Sequence, residues 1–200
     1  MIGIIDYGLG NIKAFYNLYE ELNIKLKIID NHKNINNDIN KIILPGVGSF
    51  DEAIKKLKEK NLVDPIKDFS ASKENKILGV CVGMQILGKN SQEGNEEGLN
   101  LIDGSILKFE TDYLPHMGWN DVQIKKQDQI LNNISDGEYF YFLHSYHFKE
   151  EHEENAIGIS KYNSKFTETE LLSCRLYNVN NFTITDNVFK VSLQNSIKEY

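Results

Sequence analysis

The stretch Lys76-Ile-Leu-Gly-Val-Cys-Val-Gly-Met-Gln85 constrains this chain more than any other. Ile77 to Val80 reads as a short apolar strand that runs through Cys81 into a helix. Gly79 and Gly83 stand two residues either side of the cysteine. This is G-x-C-x-G, the thiol counterpart of the G-x-S-x-G nucleophile elbow. A nucleophile on a sharp strand-to-helix turn has a strained backbone, and side chains at those two positions would collide; glycine removes the collision. Such a turn also aims the sulfur at a helix N-terminus, where free N–H groups favour thiolate. The competing reading is a structural cysteine on a core strand, the commoner place for a free cysteine. The two glycines and Gln85 favour the elbow.

The rest of the first half frames that turn. Ile2 to Ile5 is an apolar run of the kind found in strands buried on both faces, and it ends in Asp6-Tyr-Gly-Leu-Gly10. Asn11 can cap the helix that follows, where Ile12, Phe15, Leu18 and Leu22 recur at helical spacing. Lys25 to Ile29 is a second strand, and Asp30 to Asn40 a polar loop or short helix. Lys41 to Leu44 is a third strand, ending in Pro45-Gly-Val-Gly-Ser-Phe50. Ser49 and Glu52 have capping-box spacing ahead of a helix over Ala53 to Leu62. A further helical stretch spans Val63 to Ser70. Strand–helix alternation implies right-handed crossovers and a parallel sheet, with the glycine turns at its carboxyl edge. Asp6-Tyr-Gly-Leu-Gly10 lacks the third glycine of a dinucleotide fingerprint, the position holding Lys13.

The second half changes character. Ser91 to Asn100 is an acidic surface loop. Leu101 to Phe109, Gly118 to Ile124 and Tyr139 to Leu143 read as strands with short links, so antiparallel strands are expected beside the parallel sheet. Lys149 to Asn155 is a charge run, read as a solvated turn. The expected fold is α/β: an open, mostly parallel central sheet flanked by helices, with added antiparallel strands and the elbow at Cys81. Residues 1–200 are expected to form a single domain, with 167–200 as an atypical tail.

Bulk composition narrows the chemistry. A net charge of -7 argues against nucleic acid as a partner. Two cysteines, Cys81 and Cys174, do not make a disulfide framework. The start, Met1-Ile-Gly-Ile-Ile-Asp6, has no basic region and too short an apolar run for a signal peptide. No stretch approaches the ~20 apolar residues of a membrane span. No membrane is expected, and a reducing cytoplasm suits a free thiol. No His, Cys, Asp or Glu cluster has metal-ligand spacing, so no metal or cofactor is expected.

Five motifs occur in one order: Ile4-Ile-Asp-Tyr-Gly-Leu-Gly-Asn11, Leu44-Pro-Gly-Val-Gly-Ser-Phe50, Gly79-Val-Cys-Val-Gly-Met-Gln85, Pro115-His-Met-Gly-Trp-Asn120 and Phe142-Leu-His-Ser-Tyr146. Together they resemble the class I (triad) glutamine amidotransferases. Within that class they look like the glutaminase subunits of imidazole glycerol phosphate synthases. The likeness runs from Met1 to about Phe166. It implies that Cys81 attacks the side-chain amide of L-glutamine and forms a glutamyl thioester. The oxyanion would rest on backbone N–H groups of Val82 and of Val47 or Gly48. Gln85, Glu93, Ser145 and Tyr146 match glutamine-binding positions, Glu93 suiting the ammonium group; without the resemblance Glu93 reads as an exposed carboxylate in an acidic loop. The implied partner is a (βα)8-barrel cyclase, in a heterodimer that uses the ammonia in histidine synthesis. Asn11, Met117, Trp119 and Asn120 are expected on the face that meets it, together with the mouth of the Cys81 site. His116 belongs to the same partner loop.

One part of the family pattern is missing. Members end with a Phe-His-Pro-Glu strand whose histidine is the general base and whose glutamate orients it. This chain has three prolines, Pro45, Pro65 and Pro115, and none follows a histidine. The best match is Val179-Asn-Asn-Phe-Thr-Ile-Thr185, which puts Thr183 in place of the base and Thr185 in place of the orienter. Threonine does not accept a proton near neutral pH as imidazole does. His144 and His147 are the candidate substitutes for the base, although the family's His-Ser-Tyr histidine is not the base; His32 and His152 sit in polar stretches. Two alternatives therefore stand beside the leading reading. One is a paralogous amidotransferase subunit for amino-sugar or surface-polysaccharide synthesis. The other is a non-catalytic subunit that keeps the fold and the interface.

Overall fold

The structure is a computed structural model that describes residues 1–132, 134–150, 156–162 and 169–171. Cys174, His152, Thr183 and Thr185 lie outside the described residues. The first half builds a parallel sheet from β1 (Ile2–Ile5), β2 (Leu26–Ile29), β3 (Lys41–Gly46) and β4 (Lys76–Cys81). Its order is β2-β1-β3-β4. Between the strands run α1 (Ile12–Glu21), α2 (Phe50–Glu59) and α3 (Val63–Ala71). The Asp30–Asn40 segment contains one short 3-10 turn, His32–Asn34.

The apolar runs explain the layering. Ile4 and Ile5, and likewise Ile42 and Ile43, are each fully buried. Successive strand residues point to opposite faces, so a continuous apolar run needs cover on both sides. Ile4, Ile43 and Leu78 meet Leu18 and Tyr19 of α1 on one face. Ile5, Ile42, Leu44 and Ile77 meet Phe50, Ala53, Ile54 and Leu57 of α2 and Ile66 and Phe69 of α3 on the other. Each such Ile, Leu or Phe side chain contributes roughly 1.5–3 kcal/mol of burial. Both expected caps form: the Asn11 side chain accepts from the Ala14 N–H at 3.1 Å, and Ser49 Oγ from the Glu52 N–H at 3.3 Å.

The second half supplies β5 (Gly104–Lys108), β6 (His116–Ile124), β7 (Glu138–His144), β8 (Tyr146–Glu150), β9 (Gly158–Lys161) and β10 (Thr169–Leu171). These are antiparallel, as expected, and among the described residues they pair with one another. One sheet has the order β10-β9-β6-β7, and β5 pairs with β8. The sequence reading did not pick out β8, because charge surrounds its one large apolar residue. That residue, Phe148, is 1 % exposed and seals the core beneath β5. The chain leaves β1 toward β2 on one side and returns as β3 on the other. That reversal opens a crevice at the carboxyl ends of β1 and β3, where open α/β sheets bind ligands. Among the described residues no helix is long and apolar enough to cross a membrane.

Candidate active site

Cys81 is the last residue of β4 and caps the single helical turn α4 (Val82–Gln85). Its backbone sits at φ 55°, ψ -123°. A non-glycine residue at positive φ outside a turn is a strained conformation that the surroundings must enforce. The enforcement is visible in the neighbouring glycines. A Cβ on Gly83 would overlap the Leu44 carbonyl, and one on Gly79 would overlap the backbone of Met84. At both positions only glycine leaves room for the turn. The helix after the elbow is one turn long.

The turn after β3 lies beside this elbow. The parallel register sets Gly46 opposite Cys81, so Val47 and Gly48 continue alongside Val82. The approach is close enough that a Cβ on Gly46 would overlap the Gly83 amide nitrogen. Gly48 takes φ +90°, which turns the chain sharply before the Ser49 cap. Val47 is half open to solvent at 52 %. The turn after β3 and the start of α4 thus lie side by side at the elbow, and the Val82 N–H bonds to the Cys81 sulfur.

Cys81 is solvent-exposed and free. The protein packed around its sulfur still raises the thiol pKa; the Val82 N–H bond to sulfur lowers it, and the Glu93 carboxylate raises it. The net direction is upward. The helix-terminus effect is present through Val82 but is outweighed. A raised thiol pKa means less thiolate near neutral pH. The rate of Cys81 alkylation by iodoacetamide is therefore expected to keep climbing above the pH of about 8.5 at which a free cysteine is half ionised. A plateau near pH 7, followed by mass spectrometry of the labelled peptide, would contradict this.

Of the residues matched to glutamine binding, Gln85 meets Tyr146 and Glu93 acts on Cys81. Gln85, buried at 9 % exposure, donates from Nε2 to the Tyr146 carbonyl at 3.5 Å. Glu93 accepts the Phe50 N–H on Oε2 at 2.8 Å, and its own N–H donates to Ser91 Oγ at 3.1 Å. Its charge also reaches Cys81. Ser145, between β7 and β8, accepts the Phe109 N–H on its carbonyl at 3.2 Å.

The family model described as "Glutamine amidotransferase class-I" matches residues 3–175. The chain belongs to this family. It is 42 % identical over 173 residues to "Imidazole glycerol phosphate synthase subunit HisH" of Leptospira interrogans, covering 84 % of each chain. It is 37 % identical over 174 residues to the protein of the same description from Sulfurimonas denitrificans, covering 84 % of this chain and 83 % of the relative. Among solved structures, a glutamine amidotransferase superposes with a TM-score of 0.62 at 14 % identity over 80 % of this chain and 84 % of that one. PurLQS from Thermotoga maritima gives 0.56 at 17 % identity over 81 % and 74 %. These likenesses establish the fold. The family match stops before Thr183 and Thr185.

Three histidines of this amidotransferase gather in one aromatic cluster. His116 stacks on Tyr162 at 3.8 Å and on Phe142 at 5.0 Å, and His147 stacks on Phe109 at 4.8 Å. His144 lies 5.4 Å from both Phe109 and His116. Its Nδ1 pairs with the Tyr146 carbonyl at 2.8 Å, the carbonyl that Gln85 also reaches. The cluster ties β6 and β7 to Tyr146 at the start of β8.

The β6–β7 pair carries the expected docking residues. Met117 and Trp119 are 63 % and 60 % exposed. The register sets them opposite Leu143 and Tyr141, and Trp119 packs edge-on against Tyr141 at 5.8 Å. Tyr139 and Leu143 extend the same apolar face, which the sequence reading did not include. Asn120 departs from expectation. Strand alternation turns it to the face opposite Met117 and Trp119, and its Nδ2 donates to the Lys161 carbonyl at 2.7 Å. Asn11 is exposed, with its carboxamide engaged as the α1 cap.

Two residues near the site had no role in the sequence reading. Tyr7 is fully buried, and its hydroxyl donates to the Pro45 carbonyl at 2.7 Å, bridging the segment just after β1 to the carboxyl end of β3. Burial raises its pKa, and Cys81 adds to the rise. Asp51, in the first turn of α2, holds the loop that carries Glu93. Neither role has a local sequence signal, because each partner is some 40 residues away: 38 for Tyr7, 44 and 45 for Asp51.

Proposed function

We propose that this chain is the glutaminase subunit of an imidazole glycerol phosphate synthase, which hydrolyses L-glutamine and passes ammonia to a (βα)8-barrel cyclase in histidine biosynthesis. The observation that carries the reading is the strained Cys81 elbow with Gln85 and Glu93 beside it. The sulfur attacks the glutamine carboxamide carbon. The oxyanion collects N–H bonds from Val82 and from Val47 or Gly48. Ammonia leaves, and water then cleaves the glutamyl thioester to glutamate. Glu93 takes the substrate ammonium; Gln85, Ser145 and Tyr146 hold the remainder. The reaction runs in the cytoplasm, where the thiol stays reduced. A glutamine-analogue chloroketone tests this directly. It should label Cys81, glutamine should protect against it, and Cys81→Ser should abolish the label. Labelling that glutamine does not slow would overturn the assignment.

The cyclase docks on the face formed by Met117 and Trp119 with Leu143. Large apolar side chains exposed together suit an interface core. Truncating an interface tryptophan typically costs 2 kcal/mol or more of binding, about thirty-fold in Kd. Trp119→Ala is therefore expected to weaken cyclase binding by at least about that factor, while the melting temperature barely moves, because the ring is 60 % exposed. Titration calorimetry and thermal melts decide it; a large melting loss with unchanged binding would make Trp119 a structural residue.

The absent Phe-His-Pro-Glu string favours a second reading, a subunit that binds glutamine and the cyclase but turns over slowly.

A further inference from the structure

The loop that carries Glu93 is pinned from two sides. On one side it joins β5: Ser91 bridges to Ile106, and the Gln92 N–H donates to the Ile106 carbonyl at 2.9 Å. On the other it is held by α2. Asp51 accepts the Asn95 N–H on both carboxylate oxygens at 3.1 Å and the Glu96 N–H at 2.9 Å. Lys58, farther along α2, forms an ion pair with Glu96. The fit leaves no slack, since a Cβ on Gly94 would overlap the Asp51 carboxylate. Glu93 itself takes the N–H of Phe50, the residue before Asp51. Adjacent residues of one helical turn thus hold both the Glu93 carboxylate and the backbone just after it.

We infer that Asp51 is a positioning residue for glutamine recognition: it fixes the Gly94–Glu96 segment on α2 so that Glu93 is aimed at the substrate ammonium. The inference rests on the reading of Glu93 given above. α2 begins directly after the oxyanion turn, Val47-Gly48-Ser49, so the same clamp keeps the ammonium site in register with the oxyanion site. Two rigidly related contacts on one small substrate raise affinity by removing loop-ordering cost from binding. The backbone N–H bonds hold the Asp51 carboxyl below the usual carboxylate range, so the clamp is charged throughout the neutral pH range. Without Asp51 the loop keeps its β5 anchor but loses the restraint next to Glu93.

Cys81 labelling in the full chain separates the possibilities. A chloroketone analogue of glutamine alkylates the sulfur with loss of chloride, and its rate saturates, giving a KI and a limiting rate. Asp51→Ala is expected to raise KI about ten-fold with the limiting rate little changed, the loss typical of charge-assisted hydrogen bonds. Asp51→Asn, which keeps one acceptor oxygen, should fall between and guards against misfolding of the alanine variant. Alkylation by iodoacetamide, which has no ammonium group, should be unchanged in both. Glu93→Gln is the control for the underlying reading. If Glu93→Gln raises KI and both Asp51 variants do not, the positioning role is wrong and the glutamine assignment survives. If Glu93→Gln leaves KI unchanged, the ammonium assignment fails and takes this inference with it. A drop in iodoacetamide rate matching the KI change would mean general disruption of the site, and would also overturn the inference.

Discussion

Mixed with its cyclase and supplied with glutamine, this chain should form product some 10²–10⁴ more slowly than a relative that carries Phe-His-Pro-Glu. The same mixture supplied with ammonium salt should run at an ordinary rate, because ammonia bypasses the glutaminase step. The expectation has two parts. The sequence holds no His-Pro pair, and the family match ends at residue 175. In addition, the thiol is not pre-ionised: surrounding protein and the Glu93 charge raise its pKa against the single Val82 N–H. A base would be needed twice, to take the thiol proton during attack and to activate water for thioester hydrolysis, so both half-reactions slow together. Glutamine binding should persist, because Gln85, Glu93 and the Gly46–Gly48 turn are in place. Steady-state rates with glutamine and with ammonia, measured side by side, give the answer. Robust glutamine turnover by the 200-residue chain would sink the idea. The base would then be sought at His144 or His147. Sequencing the end of the gene for Phe-His-Pro-Glu in another frame would show whether the family triad is encoded there; with that string restored, ordinary partner-stimulated turnover is expected.

Replacing Gly83 with alanine should destabilise the whole first half of the molecule. The added Cβ would sit on the Leu44 carbonyl, with the Pro45 carbonyl carbon 2.8 Å away. Both are backbone of the central strand β3, which cannot swing aside as a side chain can. Overpacking against fixed atoms costs about 3 kcal/mol, which for a chain of this size is roughly 6–12 °C in melting temperature. Cys81 alkylation should change with it, since the elbow must open to admit the methyl group. Gly8→Ala is the matched comparison. Gly8 also has positive φ, +93°, but nothing lies within 4 Å of its Cβ direction. It should lose only the backbone term of about 1–2 kcal/mol. Equal melting temperatures for Gly83→Ala and the unmodified protein would show that the elbow is not packed as described.

Much of this was legible in the chain. The apolar run at Ile2–Ile5 demanded a sheet covered on both faces, and both faces are covered. The G-x-C-x-G spacing demanded a sharp turn, and Cys81 stands at φ 55° between a strand and a helix. Asn11 and Ser49 announced their helices by residue type. These features are local: periodicity, caps and glycines act over a few residues, and a few residues can be read in order. What tertiary structure decided is of another kind. The docking of Asp51 on the Glu93 loop, the Tyr7 bridge to Pro45 and the register that lays Gly46 beside Cys81 join segments that are 35 to 45 positions apart. No pattern along the chain encodes such pairings, because they depend on which elements become neighbours. The thiol pKa belongs here too. A helix start after Cys81 argues for thiolate, but the balance turns on how much water the fold withdraws from the sulfur and on where Glu93 comes to rest. Asn120 shows the same division on a smaller scale. The family resemblance grouped it with Met117 and Trp119 on one face, and the strand pairing, with its alternation of faces, turns it toward Lys161 and away from those two side chains.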